Sequence, residues 1–379
     1  MKAILSKKNI EQGIALAAKA ISSKTPFPII SHFLLEAKNN RLKISATDLE
    51  IGIEISVKAD IEEDGSFTVP ARTFQDIISL TDGDSIFLYK NEDSSNLEIT
   101  STSSSCNIMT LNSDEFPLMP HSDDEPILSM LQKDLKDAVK GIIFSIAAQE
   151  ETRAVLTGVL IIVKNNSARF VATDGKRLAI SDVPVSSNFE EEVSYIIPGK
   201  TLSEISKSIT NPEEYVYVGI KNSQIFFNMG DVLVISRLLE GNYPKFEQVI
   251  PSSSENKITI NRNEFMSSLK YILVMAQEKN FPKLIKVKFT NGKLILKSNT
   301  PDLGSASREI DCNFEGEDIE IAFNGQYFLD VLSVLKSENI LFEFTNDTSP
   351  GVIRPLEENV SNENYMCVIM PIVIMKDDI

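Results

Sequence analysis

Histidine occurs only twice in 379 residues, as His32 and His121, and neither has a metal-like or triad-like neighbourhood. Cysteine is almost as scarce. Cys106, Cys312 and Cys367 are odd in number and far apart, which argues for reduced thiols in a cytosol and for a cytoplasmic protein. No metal-ligand spacing appears among them. Positive charge is also short: 37 Lys and Arg stand against 54 Asp and Glu, a net −17 that opposes binding to nucleic acid unless the charge is unevenly placed. Long apolar runs are missing. The longest, such as Gly158-Val159-Leu160-Ile161-Ile162-Val163, suit strands and fall well short of a membrane span. The opening "MKAILSKKNIEQGIAL" has no continuous apolar h-region, so secretion is not expected.

What the chain has in abundance is repetition. "NIEQGIALAAKAISSKTPFPIISHFLLEAKNNRLKISATDLEIGIEI" is followed by "DLKDAVKGIIFSIAAQEETRAVLTGVLIIVKNNSARFVATDGKRLAI" and, more distantly, by "EFMSSLKYILVMAQEKNFPKLIKVKFTNGKLILKSNTPDLGSA". Each runs from a helix-like segment through an apolar strand and an Asn-rich turn to a second strand. The turns are Asn39-Asn40, Asn165-Asn166 and Asn291-Gly292. Each copy then repeats a strand, a break and an amphipathic helix: "GSFTVPARTFQDIISL", "VSYIIPGKTLSEISKSI" and "IEIAFNGQYFLDVLSVL". The breaks Pro70, Pro198 and Asn324 fit helix starts, where a proline forfeits no needed donor. Each copy closes at a proline, and Pro117, Pro244 and Pro371 lie a constant 127 residues apart. Three copies therefore fill the chain, with domains expected at 1–126, 127–254 and 255–379.

A copy holds two helices and about eight strands, enough for its own core. In "IGIEISVK" the alternation puts Ile51, Ile53, Ile55 and Val57 on one face and Gly52, Glu54, Ser56 and Lys58 on the other. That pattern predicts a sheet with one wet face and one face covered by helices. The expected fold class is α+β, as three tandem copies of a two-helix, eight-strand domain.

Six helices are expected over Ser6–Lys24, Pro70–Leu80, Gln132–Gln149, Pro198–Ile209, Asn261–Lys279 and Asn324–Lys336. Together these segments carry +6, which leaves −23 on the rest. Two readings stay open. The helices could line one surface that favours phosphate, or their lysines could simply be good helix formers on solvated faces.

Catalytic patterns are wanting. "PGKT" at Pro198–Thr201 resembles half of a phosphate loop, but Ser194 stands where that motif needs its first glycine, so a helix start reads better. "ATDGKRL" matches neither a nucleophile elbow nor a dinucleotide fingerprint. No cofactor and no metal site are expected, and a binding or scaffold role leads over an enzymatic one.

Six stretches in order carry a resemblance: "ATDLE" at 46–50, "VPAR" at 69–72, "ATDGKRLA" at 172–179, "GNYPKFEQVIP" at 241–251, "FNGQYFLDVL" at 323–332 and "MPI" at 370–372. On these, over essentially the whole chain, the sequence resembles the bacterial sliding clamps, beta subunits of DNA polymerase III holoenzyme. The resemblance implies a homodimer joined head to tail into a ring, with helices inside and sheets outside. It implies a non-catalytic processivity factor of DNA replication that encircles duplex DNA and slides without sequence specificity. Replicative polymerase, clamp loader and other clamp-motif proteins would be its partners.

By the same resemblance, Lys24, Arg72, Gln149 and Lys200 would face DNA. A partner-peptide pocket would comprise Arg153, Leu156, Thr173, Gly175, Lys176, Arg177, Leu178, Pro244, Val249, Val368, Met370, Pro371 and Ile372. Ile108 would meet Val274 and Met275 of a second subunit. The chain departs from the family in three places. Lys176 stands where histidine is frequent, Ala154 and Val155 replace aromatic residues, and Val373 to Ile379 extend the usual end. A monomeric tandem-domain adaptor for peptides is the alternative from another class.

Overall fold

A computed structural model describes the chain except for residues 23–26, 92–93, 122–123, 149, 278–282, 302, 315–316, 357–363 and 374–379. Among the described residues six α-helices, two to a copy, stand among many antiparallel strands: α1 (Lys7–Ala17), α2 (Ala71–Leu80), α3 (Gln132–Ile142), α4 (Gly199–Ser208), α5 (Arg262–Leu273) and α6 (Gly325–Val334). The Asn pairs act as hairpin turns because asparagine tolerates positive φ. Asn39 and Asn40 (52° and 57°) join strands His32–Lys38 and Arg41–Thr47, and Asn165 and Asn166 (48° and 60°) serve the second copy alike.

The chain forms two compact units. The first comprises Met1–Lys133, Val185–Asn188 and Glu204–Leu238, and the second Asp134–Pro184, Phe189–Ser203 and Leu239–Ile379. A 14-stranded sheet belongs to the first unit, and sheets of eight and four strands to the second. Strands of successive copies pair directly. In the first unit Ile51–Glu63 pairs with Val232–Arg237, and in the second Arg177–Pro184 pairs with Tyr365–Ile369. These junctions are why the units cut across the repeat.

In the first unit α1 lies close on the sheet because Gly13 offers no side chain: a Cβ there would press on Val57 and Ile44. The face expected to be wet is not wet throughout. Glu54 is buried, and Phe116, Met119, Phe226 and Ile235 form a second apolar cluster on that side. Glu54 keeps polar company, with Ser45 Oγ at 3.4 Å and Lys43 Nζ at 3.9 Å. Alternation along one strand cannot reveal a later segment folding back over its polar face.

The first helix of each copy is shorter than expected. α1 tightens to a 3-10 turn at Ala18–Ala20, and α3 does the same at Ile143–Ser145 before Ile146 turns extended. α5 stops at Leu273, where Thr300 Oγ1 donates to the Met275 carbonyl just beyond. With α1 and α6 shorter than expected, the six helices sum to +3, against +6 for the expected segments. α1, α3, α4 and α5 each carry one net positive charge, α2 is neutral, and α6 is negative by one.

Candidate functional site

The turn after Thr173 is built by its own side chains. Thr173 Oγ1 donates to the Arg177 carbonyl (2.6 Å) and accepts from Gly175 N–H (3.0 Å). Asp174 Oδ1 accepts from Lys176 N–H (2.9 Å) and Arg177 N–H (3.0 Å). Copy one makes the same four bonds with Thr47 and Asp48, and Leu49 there has φ +75° where Gly175 has +83°. Glycine therefore relieves left-handed strain at this position. Within the chain a Cβ there would meet only the Arg153 guanidinium, at 3.5 Å.

Beside this turn, in the second unit, is a cavity of about 140 Å³. Of the expected pocket residues it gathers Arg153, Leu156, Thr173, Gly175, Arg177, Leu178, Pro244, Val249, Val368 and Met370. Lys245 and Phe246 also line it and were not anticipated, although both sit inside "GNYPKFEQVIP". The lining does not include Lys176, Pro371 and Ile372. Lys176 is exposed and contributes its carbonyl, which accepts from Met370 N–H at 2.9 Å, while Ile372 N–H donates to Ala322.

The floor is apolar and rigid. Leu156, Leu178, Phe246 and Val368 are buried, and Leu178, Phe246 and Val368 join a cluster with Leu160, Val171, Ile180, Ile196 and Val352. Tyr243 packs against this cluster and donates to the Val171 carbonyl (3.3 Å); burial raises its phenol pKa strongly. Val249 and Arg153 stay exposed at the mouth. An apolar floor with a few polar groups at the rim suits bulky apolar anchors of a short peptide.

The chain matches the DNA polymerase III beta subunit along its length: the N-terminal domain over residues 1–120, the central domain over 129–245 and the C-terminal domain over 247–373. It is 32% identical over 350 residues to the beta sliding clamp of Staphylococcus epidermidis, covering 90% of this chain and 92% of that one. The Staphylococcus aureus beta sliding clamp is 32% identical over 346 residues, 89% and 91% of the two chains. Among solved structures, the DNA polymerase sliding clamp of Bacillus subtilis superposes with a TM-score of 0.91 at 27% identity, over 99% of this chain and 100% of that one. A DNA polymerase III beta subunit of Eubacterium rectale gives 0.89 at 29%, with the same coverage.

The chain belongs to the DNA polymerase III beta subunit family. As a beta sliding clamp it is a non-catalytic processivity factor of DNA replication. Arg72, Lys200, Ile108, Val274 and Met275, also expected in a clamp, are not part of the cavity lining. Arg72 is exposed in the first turn of α2 and Lys200 in the first turn of α4, while Lys24 and Gln149 fall outside the described residues. Ile108 is buried within its own protomer, on the outermost strand Ser105–Met109, and its neighbour Met109 is 71% exposed. Val274 is exposed at the end of α5 and Met275 is half-buried.

Features that could have suggested another chemistry have structural explanations in this clamp. Gly199 of "PGKT" packs so tightly that a Cβ would strike Ile146 and the Thr157 carbonyl. His32 Nδ1 lies 3.2 Å from Thr68 Oγ1, with its pKa lowered by burial. His121 Nε2 is 3.8 Å from Glu54. Among the described residues no three His, Cys, Asp or Glu gather as metal ligands, and no helix is long and apolar enough to cross a membrane.

Proposed function

We propose that two copies of this chain close head to tail into a ring around duplex DNA in the cytoplasm, and that the cavity beside Thr173–Arg177 tethers polymerase, clamp loader and other partners by short peptides. The domains read as 1–126, 127–254 and 255–379. The observation that carries the peptide reading is convergence. Segments around residues 153, 175, 246 and 369 are distant in sequence, yet they wall one apolar-floored cavity.

Ring closure is supported by two unsatisfied edges. Among the described residues, Ser105–Met109 pairs only with Asn96–Thr100, and Gly304–Asp311 only with Lys293–Thr300. Exposed Met109 sits on the first edge, and exposed Leu303 just before the second, with Tyr271 and Val274 exposed at the end of α5. Bare strand edges with apolar side chains invite strand addition from another chain, and unlike edges meeting head to tail can close a ring. Ile108 would contribute its backbone there, since its side chain is already buried.

Lys24, Arg72, Gln149 and Lys200 would contact phosphates, which carry no sequence information and so permit sliding. The deciding experiment loads the protein on nicked circular DNA and then linearises the circle. A topological clamp runs off the ends, whereas a monomeric peptide adaptor shows no difference between the two forms.

A further inference from the structure

Arg177 lines the cavity, yet its guanidinium is turned away from solvent. The side chain is only 11% exposed. Nε donates to Asp174 at 3.0 Å and Nη1 donates to Asp330 of α6. Its guanidinium carbon lies 4.4 Å from the Tyr327 ring centre and 5.3 Å from that of Phe144. A cation so enclosed by two carboxylates and two rings has little left to offer a peptide.

We infer that α6 holds the cavity rim in its binding shape through Arg177, which makes Asp330 and Tyr327 positioning residues for peptide recognition. The inference rests on the peptide-pocket reading above.

A continuous run of bonds links the helix to the wall. The Asn324 cap accepts from Gln326 N–H (3.0 Å), and Gln326 Nε2 donates to Asp330 Oδ1 (2.9 Å). Arg177 joins Asp330 to Asp174, whose other oxygen closes the 173–177 turn. The Lys176 carbonyl in that turn anchors Met370 N–H, and Met370 is cavity wall. Loss of one partner from such a half-buried charge cluster leaves its mate uncompensated, so the turn would shift.

Copy one shows that the turn itself does not require this arrangement. Ile51 stands at the place of Arg177, no cation is present, and the same four turn bonds form. The staple is therefore an addition to the scaffold at the one copy whose turn borders the cavity. Coupling through it is reciprocal: whatever reorients α6 alters the rim, and an occupied rim constrains α6.

The test uses the full chain and a labelled peptide carrying a glutamine followed by leucine and phenylalanine anchors. Affinity is compared for the unaltered protein, Asp330→Asn, Arg177→Met and the double variant, with thermal melts to verify folding. Amide hydrogen exchange at residues 174–177 is followed without peptide. Asp330→Asn should weaken binding about fivefold or more and speed exchange in the turn. In the Arg177→Met background it should add nothing, a non-additivity that general destabilisation does not produce. Unchanged affinity and unchanged exchange in Asp330→Asn would overturn the inference. Failure of the unaltered protein to bind the peptide sinks the pocket reading separately, and the exchange measurement then still decides whether α6 holds the turn.

Discussion

The Met119 side chain lies directly over Gly52, so near that a Cβ at position 52 would overlap its terminal methyl group. Gly52 pairs with Ile235 as Leu178 pairs with Val368, which makes it the copy-one counterpart of the cavity floor. At this junction the methionine fills the space that its counterpart leaves open. Gly52→Val should therefore destabilise the protein by about 1–3 kcal/mol through overpacking. Adding Met119→Ala should recover part of the loss, as read from urea unfolding; strictly additive losses would contradict the packing account.

Truncation before Met370 removes one wall of the cavity together with the bonds to Lys176 and Ala322. Binding of a clamp-motif peptide should be abolished while the dimer persists by light scattering. Retained peptide affinity in a titration would refute the assignment of the cavity.

Lys24→Glu together with Lys200→Glu should shorten retention on nicked circular DNA at low salt, with the gap to the parent narrowing as salt rises. Phosphate contacts act through counterion release and are screened by added ions. Equal retention of variant and parent across a salt series would show that these lysines do not face the duplex.

Cys367 is fully buried beneath the 174–177 turn, and burial pushes its thiol up to about 12 from an ordinary value near 9. The folded pKa is raised, so its contribution is intact below pH 9 and is lost as pH rises from 9 towards 12. Over that window the unfolded chain holds fewer protons, and stability should fall by up to about 1.4 kcal/mol per pH unit from this group. Cys367→Ala should flatten that slope in alkaline unfolding. Iodoacetamide on the native protein at pH 8 should label half-buried Cys106 and Cys312 and spare Cys367; modification of all three at one rate would contradict the burial.

Much of the architecture was legible because it repeats. A thrice-used pattern of strand, Asn turn, strand and helix is a local property, and backbone preferences at Asn39-Asn40 or Pro70 report it without knowledge of the rest. The cavity was legible only through resemblance to the sliding clamps, since nothing local distinguishes Leu156 or Val368 from any other core aliphatic. Phe246 is indistinct in the sequence for the same reason, and the end of α5 is not legible locally because Thr300, which bonds the Met275 carbonyl, comes from a distant strand.

The order of elements, the repeat length and the shape of the Thr-Asp turn were determined by the sequence itself, because each depends on neighbours along the chain. Tertiary structure alone decided that the Asp174 turn borders an open cavity while the Asp48 turn lies at a junction closed by Met119. It also decided that Arg177 faces α6 instead of solvent. These outcomes depend on which side chains arrive from more than 60 positions away (Met119 at Gly52, Asp330 at Arg177), and close packing leaves space only for the side chains that arrive.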